Sequence, residues 1–392
     1  MKQKVLIFYP FRFRNYDYDR FEIKYLEKDF KIYIFDLLDV IHPHFSKAYP
    51  KEKYIHKNIY KFQNFNEIKK FLNLNNFYNK NESIKVLNFV NSVNINSLRI
   101  NVLINSLNLK IHKFYNPGNY FWKKNNLPIF KRILFSLTQV FFDTPRFIWN
   151  LKVRFFNLIN NLFNVKADLT FVAGKEYLKF FKEKKVVKIN SWDYSRLIRN
   201  KKKIKSYKYK IITFLDSPGP LFKSDSYLLK RKNDETADKT YPSLNNFFGI
   251  LEKKYKAKVV IAAHPKTKHK KKPKYFYGRK VVHGKSLELI YNSKLVVTRN
   301  SSAITYAIEY NKPILFIYTD EILEKKSLGF YNIYFLAKEL GLNALNINTK
   351  IKINKKFNFS RNRYFLFKKK YFSDLKKLRT NFDIMKEELK KK

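Results

Sequence analysis

Short apolar runs alternate with amphipathic segments along the first half of the chain. The runs rich in β-branched and aromatic residues predict strands at 4–10, 31–38, 84–90, 109–116, 168–174 and 186–194. Between them, residues 19–30 and 95–108 repeat apolar positions at helical spacing, and a further helix is expected to end near Lys185. Strands that alternate with helices predict a parallel sheet with crossover helices.

The second half repeats this alternation more clearly. It predicts strands at 211–220, 257–265, 279–284, 294–299 and 312–318, with helices at 241–255, 286–293 and 301–311. The pattern divides the chain into a Rossmann-like domain at 1–195, a cationic linker at 196–208, a second Rossmann-like domain at 209–345 and a basic helical tail at 346–392.

One stretch interrupts the first series. Residues 121–166 are basic, aromatic and helical in period, with Pro145 dividing them. Its uncharged runs are too short for the roughly 18 apolar residues of a membrane span. The stretch is typical of helices that bind an anionic lipid surface and equally of helices that pack inside the protein.

Composition changes this picture in two ways. The 392 residues carry a net charge of +51, with 45% hydrophobic and 18% aromatic residues. Codon bias towards A and T accounts for much of the lysine, but such a surface still attracts nucleic acid, anionic lipid and phosphorylated ligands.

The chain contains no cysteine, which excludes disulfides and thiol catalysis. The first residues lack a small-residue cleavage site, so we expect no signal peptide and a cytoplasmic protein, soluble or peripheral on the inner face of the membrane.

Three polar motifs lie at the carboxyl ends of predicted strands of the second domain. They are Asp216-Ser217-Pro218-Gly219-Pro220, His264-Pro265 and Arg299-Asn300-Ser301-Ser302. Ligands of open α/β sheets bind beyond the carboxyl ends of the strands. Ser301 and Ser302 suit a phosphate at a helix start, although serine there is also an ordinary helix cap. His264 is either a buried structural histidine or a hydrogen-bond donor to phosphate.

The segments "IAAHPK" and "GKSLELIYNSKLVVTRNSSAITYAIEYNKPILFIY" resemble the C-terminal half of GT-B glycosyltransferases that use CMP-activated acidic sugars. These include bacterial sialyltransferases, polysialyltransferases and Kdo transferases. The resemblance, which covers about residues 209 to 320, implies two Rossmann-like domains with parallel sheets facing a central cleft and a C-terminal helix that crosses back. It also implies that His264, Ser301 and Ser302 hold the donor phosphate. The remaining candidate binding residues are Ser217, Gly219, Pro265, Lys285, Arg299, Asn300 and Thr305.

The catalytic carboxylate is less well defined. The sialyltransferases carry an acidic pair before a glycine, whereas "LDSPGP" supplies only Asp216. Asp216 is a candidate general base or nucleophile, or a turn-forming residue with no part in catalysis. Asp193, predicted at the end of the last strand of the first domain, is the second candidate. Asp17 and Asp19 form an Asp-x-Asp at a helix start, where aspartate is a good cap, so we predict no metal site.

The sequence therefore predicts a metal-independent glycosyltransferase with no cofactor beyond its nucleotide-sugar substrate. The donor would be a CMP-linked acidic ulosonic sugar on the second domain. The acceptor would be a surface polysaccharide (capsule or lipopolysaccharide) or a lipid-linked glycan on the first. A UDP-sugar donor is an alternative, disfavoured because Thr305 and Tyr306 stand where UDP enzymes hold the ribose with a glutamate. A nucleic-acid-binding protein is the other alternative, disfavoured because the basic residues spread along the whole chain.

Overall fold

The fold is built from two parallel sheets joined by helices. The structure, a computed structural model, describes residues 2–47, 49, 56–78, 84–115, 144–163, 167–181, 185–222, 228, 233–267, 273–325, 328–349, 353 and 358–391. Residues 121–143 and 164–166 of the basic aromatic stretch lie outside the described part of the chain.

Among the described residues, seven parallel strands form the N-terminal sheet in the order β3-β2-β1-β4-β5-β6-β7. They are β1 (Lys4–Tyr9), β2 (Lys31–Asp36), β3 (Ile59–Lys61), β4 (Ile84–Asn88), β5 (Lys110–Tyr115), β6 (Leu169–Ala173) and β7 (Val186–Ile189). β1, β4 and β6 are buried along almost their whole length, as expected of strands covered by helices on both faces.

The described C-terminal residues form a second parallel sheet, of six strands in the order β10-β9-β8-β11-β12-β13. They are β8 (Ile211–Leu215), β9 (Val259–Ala262), β10 (Val281–Val282), β11 (Ser293–Thr298), β12 (Ile314–Tyr318) and β13 (Ala344–Asn346). Both sheets have the doubly wound order of a Rossmann fold, with the strand order reversing between β1 and β4 and between β8 and β11.

Helices cover the faces of both sheets. In the first domain they are α1 (Asn15–Arg20), α2 (Ile23–Leu26), α3 (Leu38–Ile41), α4 (Pro43–Ser46), α5 (Phe65–Leu74), α6 (Ile95–Ser106), α7 (Thr144–Leu162), α8 (Lys175–Leu178) and α9 (Trp192–Asn200). In the second part of the chain they are α10 (Ala237–Tyr255), α11 (Ser286–Tyr291), α12 (Ile304–Glu309), α13 (Asp320–Glu324), α14 (Leu328–Glu339), α15 (Arg361–Phe367) and α16 (Asn381–Lys390). Short 3₁₀ turns at Lys201–Lys203 and Pro273–Phe276 and a π turn at Lys368–Phe372 complete the described elements.

The predicted helix at 19–30 is interrupted at Glu22. Glu22 adopts the left-handed conformation (φ 62°) between α1 and α2, which breaks the helical hydrogen-bond pattern. Its buried carboxylate accepts a hydrogen bond from Ser195 Oγ (2.6 Å) and pairs with Arg199 (2.8 Å). Burial raises the pKa of Glu22, and Arg199 opposes that shift. The break therefore places an acidic group against α9.

The segment around Asp193 also differs from its predicted form. The strand predicted to run to residue 194 ends at Ile189, and α9 begins at Trp192 with Ser191 as its N-cap. α9 then continues into the segment predicted as a linker, because its apolar residues Trp192, Tyr194 and Leu197 are buried against both domains. Asp193 thus lies in the first turn of a helix and not at a strand end.

The chain returns to the first domain at its C-terminal end. The tail forms two helices, α15 and α16, where one was predicted. α15 packs on the second domain, whereas Ile384, Met385 and Leu389 of α16 are buried in the same core as Val5 and Ile7 of β1. Two doubly wound domains with this C-terminal crossing constitute the GT-B fold, so the fold class expected from the sequence is confirmed.

Candidate active site

A cavity of about 300 Å³ lies between the two domains. The second domain contributes the segments that follow β8, β9 and β11, and the first domain contributes the segments around α1 and α9. Because β8 and β11 flank the point where the strand order reverses, this is where a doubly wound sheet binds its ligand. The predicted candidates Asp193, Asp216, Ser217, His264, Pro265, Asn300, Ser301 and Ser302 all line the cavity.

His264 has a fixed ring orientation. Its Nδ1 accepts a hydrogen bond from the backbone N–H of Lys266 at 3.1 Å, which leaves the proton on Nε2. Burial lowers the pKa of His264 from 6.5 to about 3, and the nearby charge of Asp216 only partly opposes this. The imidazole is therefore a neutral donor at pH 7 in the free protein, not the protonated donor that would bind a phosphate most strongly.

The two serines occupy the turn before α12. Ser301 Oγ accepts from the N–H of Ala303 at 3.3 Å, so its own proton remains available for a ligand. Within the described part of the chain, the Ser302 hydroxyl has no protein partner, and its carbonyl accepts from Thr305 Oγ1 at 2.8 Å. Thr305 is buried below the turn and supports it, whereas the Ser301 and Ser302 hydroxyls can donate to an anion.

Asp216 is joined to the turn that carries His264. Its Oδ2 accepts from the backbone N–H of His264 at 3.3 Å and lies 3.2 Å from the hydroxyl of Thr267. Its own N–H donates to the carbonyl of Ala262 at 3.1 Å. The carboxylate thus fixes the chain between β9 and the lysine-rich loop while lining the cavity.

Asp193 has a different environment. Its Oδ1 accepts from the hydroxyl of Tyr306 at 3.2 Å, a contact that joins α9 to α12 across the domains. Its Oδ2 is buried and has no hydrogen-bond partner among the described residues. A buried acceptor without a donor is costly, and such atoms concentrate at functional sites. Asp216 Oδ1 is likewise buried and makes no hydrogen bond among the described residues, so hydrogen bonding alone does not separate the two candidate carboxylates.

Arg299 does not line the cavity. Its side chain is 4% exposed and forms an ion pair with the buried carboxylate of Glu235. Gly219 packs against the same pair, because a Cβ at this position would lie 3.0 Å from Glu235 Oε2. Arg299 and Gly219 were predicted as ligand contacts. In the structure they pack beside the segment that contains Ser217 and are not among the residues that line the cavity. Lys285 is exposed at the start of α11, between the lining residues Gly284 and Ser286.

Asp17 and Asp19 are held by cations of the protein itself. The carboxylate of Asp17 pairs with Arg14, with Nε to Oδ2 at 3.0 Å and Nη2 to Oδ1 at 3.3 Å. Asp19 pairs with Lys24 at 3.3 Å and with Arg199 at 3.5 Å. No group of three or more potential metal ligands occurs in the part of the chain that was searched, which is limited to the described residues.

Apart from Asp193, the sequence analysis did not identify the first-domain side of the cavity. Arg14, Tyr16, Arg20 and Arg196 line it, and three of them belong to the segment "RFRNYDYDR" that follows β1. The strand-end rule that selected His264 also applies to β1, the first-domain strand at the point of reversal. This cluster of arginines directly after a strand was the available signal.

The chain is similar to known proteins in its structure and not in its sequence. No known protein family matches the sequence, and no curated protein matches it. Among solved structures, the chain is similar to the UDP-GlcNAc 2-epimerase of Methanocaldococcus jannaschii, with 14% identity and a TM-score of 0.43 over 92% of this chain and 95% of that one. It is also similar to MurG of Acinetobacter baumannii, with 9% identity and a TM-score of 0.42 over 89% and 87% of the chains. A third, the glycotransferase of kitacinnamycin, has 9% identity and a TM-score of 0.43 over 94% and 90%. The fold assignment rests on the strand orders and the C-terminal helix.

Proposed function

We propose that the protein is a glycosyltransferase that uses a nucleotide-activated sugar, and that the cavity between its domains binds the donor phosphate. The observation that carries this proposal is the fixed Nε2–H donor of His264, which shares the cavity with the Ser301 and Ser302 hydroxyls. Three uncharged donors meet at the switch point of a Rossmann sheet, where anionic ligands bind.

The reaction that fits this arrangement is displacement at the anomeric carbon. An acceptor hydroxyl attacks that carbon, the bond to the donor phosphate oxygen breaks, and the electron pair leaves with the phosphate. His264, Ser301 and Ser302 stabilise the negative charge that develops there. The hydroxyl proton passes to a carboxylate in the cavity.

Asp193 is the better-placed base for that proton. Asp216 Oδ2 accepts the His264 N–H, which places this carboxylate on the second-domain side of the cavity with the proposed donor phosphate. Asp193 lies on the first-domain wall, where we place the acceptor, and its Oδ2 makes no hydrogen bond among the described residues. In this arrangement Asp216 positions His264, and Asp193 takes the proton.

The identity of the nucleotide rests on the two sequence motifs. A CMP-linked acidic sugar is our proposal for the donor, and a UDP-sugar is the alternative. Thr305 and Tyr306 occupy the region where UDP enzymes hold the ribose with a glutamate, and the Tyr306 hydroxyl donates a hydrogen bond to Asp193. α12 therefore offers no carboxylate at this position for a ribose.

A screen of CMP, CDP, UDP, GDP and ADP by thermal shift tests the proposal directly. We expect CMP or CDP to raise Tm most, because ligand at 100 times Kd adds about 2.7 kcal/mol to the unfolding free energy. His264→Ala should reduce this stabilisation, whereas His44→Ala, an exposed histidine outside the cavity, should not. If UDP raised Tm most and this effect still depended on His264, the proposal of a CMP-linked donor would be wrong. The proposal of a phosphate site at His264 would stand. No nucleotide response at all would contradict the function.

We further propose that α7 attaches the enzyme to the inner face of an anionic membrane, where a lipid-linked glycan or growing polysaccharide would be available. An apolar stripe faces solvent along this helix, formed by Ile148, Leu151, Phe155, Leu158 and Leu162, which are 46%, 47%, 58%, 64% and 80% exposed. Asn160, on another face, is buried and donates to Ser92 Oγ at 2.5 Å. The helix contains Arg146, Lys152 and Arg154 and no acidic residue. This composition suits an anionic lipid surface. It disfavours pairing with a second copy of the chain, because both copies carry a net charge of +51. In the described residues, no helix is long and apolar enough to span a bilayer.

A further inference from the structure

Arg20 is a cation on the cavity wall that forms no ion pair within 4.0 Å among the described residues. It lines the cavity, is half-buried, and has no ion pair or hydrogen bond among the described residues. Its Nε is fully buried without a hydrogen-bond acceptor. Burial alone would lower the pKa of Arg20. The larger opposing effect of Tyr16, Asp193 and Asp17 raises the pKa above its ordinary value, so the guanidinium stays charged.

Two other arginines are fixed beside it by Tyr16. The guanidinium of Arg14 lies 5.7 Å from the centre of the Tyr16 ring, and that of Arg196 lies 5.8 Å from it. Arg14 is neutralised by Asp17 through two contacts of 3.0 and 3.3 Å. Arg196 has a weaker pair with Asp19 at 3.6 Å and donates to the carbonyl of Gly284 at 3.4 Å in the second domain.

The three arginines, together with Tyr16, are called the arginine wall below. Its charge is only partly balanced, because Asp17 offsets Arg14 and Asp19 is shared among Arg196, Arg199 and Lys24. Asp193 acts on Arg20 and Arg196 from beyond ion-pair distance and is one carboxylate beside two guanidinium groups. A buried charge is unfavourable unless a partner of opposite charge satisfies it. A guanidinium presents two parallel N–H groups that match a carboxylate or a phosphate. The missing partner of Arg20 is thus an anion with this geometry.

The position of the arginine wall separates it from the donor phosphate site. It consists of the N-cap and residues of α1 together with a residue of α9, all in the first domain, whereas His264, Ser301 and Ser302 follow strands of the second. Asp193, the proposed base, also lies on α9, three residues before Arg196. An anion held by Arg20 would therefore belong to the molecule whose hydroxyl Asp193 deprotonates.

We propose that the arginine wall binds a phosphate or carboxylate carried by the acceptor, with Arg20 as its principal ligand. This inference rests on the proposed function, since that function defines which side of the cavity holds the acceptor. The same chemistry could come from the donor, through a sugar carboxylate or a second phosphate, so the experiment must separate the two sources.

The test uses inorganic phosphate as the probe, titrated by calorimetry at 150 mM NaCl into the full chain saturated with its preferred nucleotide. We expect wild-type protein to bind phosphate beside the nucleotide. Arg20→Gln should weaken this binding at least 10-fold, and Arg20→Lys, which keeps the charge but loses the paired donors, should give an intermediate value. Arg361→Gln is the matched control, because Arg361 is exposed outside the cavity and its loss changes the net charge equally.

Three results would overturn the inference. One is phosphate binding that Arg20→Gln and Arg361→Gln reduce equally, which would indicate only general attraction to a basic surface. Another is a loss of nucleotide affinity in Arg20→Gln as large as in His264→Ala, which would assign Arg20 to the donor. The third is the absence of phosphate binding to wild-type protein. If no nucleotide binds, the proposed function fails by itself, and titration of phosphate into the free protein still reports on Arg20.

Discussion

The hydroxyl of Tyr306 donates a hydrogen bond to Asp193 Oδ1 across the domain boundary, at 3.2 Å. Both side chains are buried. Burial, followed by the charge of Asp193, raises the pKa of Tyr306 well above its usual value, so the hydroxyl remains a donor. A residue of the proposed donor domain thus orients the carboxylate that we propose as the base.

Tyr306→Phe should lower the unfolding free energy by about 1–3 kcal/mol, because it leaves a buried carboxylate oxygen without its donor. Transfer should slow, while nucleotide binding stays near the wild-type value. Urea unfolding and a transfer assay measure the two effects. Tyr310→Phe is the matched control, since the buried Tyr310 hydroxyl has no partner among the described residues and its loss should be nearly neutral. Equal effects of the two substitutions would contradict the orienting role.

The two carboxylates can be distinguished by amide substitution. Asp193→Asn should leave nucleotide affinity unchanged and slow transfer by at least ~10², because the amide cannot take the proton. Asp216→Asn should retain most of the transfer rate, since the amide oxygen can still accept the N–H of His264. Asp216→Ala loses that acceptor and should weaken nucleotide binding. Calorimetry and rate measurements on the three variants test this assignment. If Asp216→Asn slowed transfer more than Asp193→Asn did, Asp216 would be the base.

The GT-B architecture was predictable because both halves of the chain alternate buried strands with amphipathic helices. The short strands β3 and β13 and the helices α5 and α14 were missed, although α5 has a clear N-cap in Asn64. Helix ends were also misplaced where tertiary contacts decide them. Glu22 splits one predicted helix because its buried carboxylate bonds to Ser195 and Arg199, which are about 170 residues away along the chain.

The candidate site was only half predictable for a similar reason. His264, Ser301 and Ser302 follow strands of a strongly patterned domain, so their convergence could be expected. Nothing local distinguishes Arg299, which is paired with the distant Glu235, from Arg20, which lines the cavity. In a chain of charge +51, only the folded structure shows which cations are already neutralised.

The buried pair of Arg299 and Glu235 should be important for stability. Glu235→Gln leaves a buried guanidinium without its counter-charge, which costs about 3–5 kcal/mol. The comparison is Glu387→Gln, which breaks the exposed pair with Arg379 and should have a much smaller effect. Denaturant unfolding of both variants measures the difference. Similar losses would mean that Arg299 is not held by Glu235 and is available to a ligand.

The apolar stripe of α7 should determine membrane binding. Replacing Phe155 and Leu158 by serine removes two exposed side chains, each worth about 2 kcal/mol when buried in lipid. We expect the double variant to bind phosphatidylglycerol vesicles at least 10-fold more weakly in a sedimentation assay, with unchanged Tm. Leu74→Ser controls for loss of an exposed apolar residue elsewhere, as Leu74 is 72% exposed at the end of α5. Wild-type affinity in the α7 variant would exclude this helix as the lipid contact.

The neutral state of His264 predicts a defined pH dependence of stability. Its pKa is about 3 in the folded protein and 6.5 when exposed, so between these values the unfolded chain binds more protons. Stability is therefore fully present above pH 6.5 and is lost as the pH falls towards 3. One such histidine costs at most about 2 kcal/mol between pH 7 and pH 5, since one pKa unit corresponds to about 1.4 kcal/mol.

His42, whose pKa burial lowers to about 4, contributes in the same direction. Urea unfolding at pH 7, 6 and 5 should thus give a shallower decline for His264→Gln than for wild type, and His42→Gln should remove a separate part of it. Parallel curves for wild type and His264→Gln would show that folding does not lower the pKa of His264. The imidazole would then become charged below about pH 6.5 and could bind a phosphate as an imidazolium there.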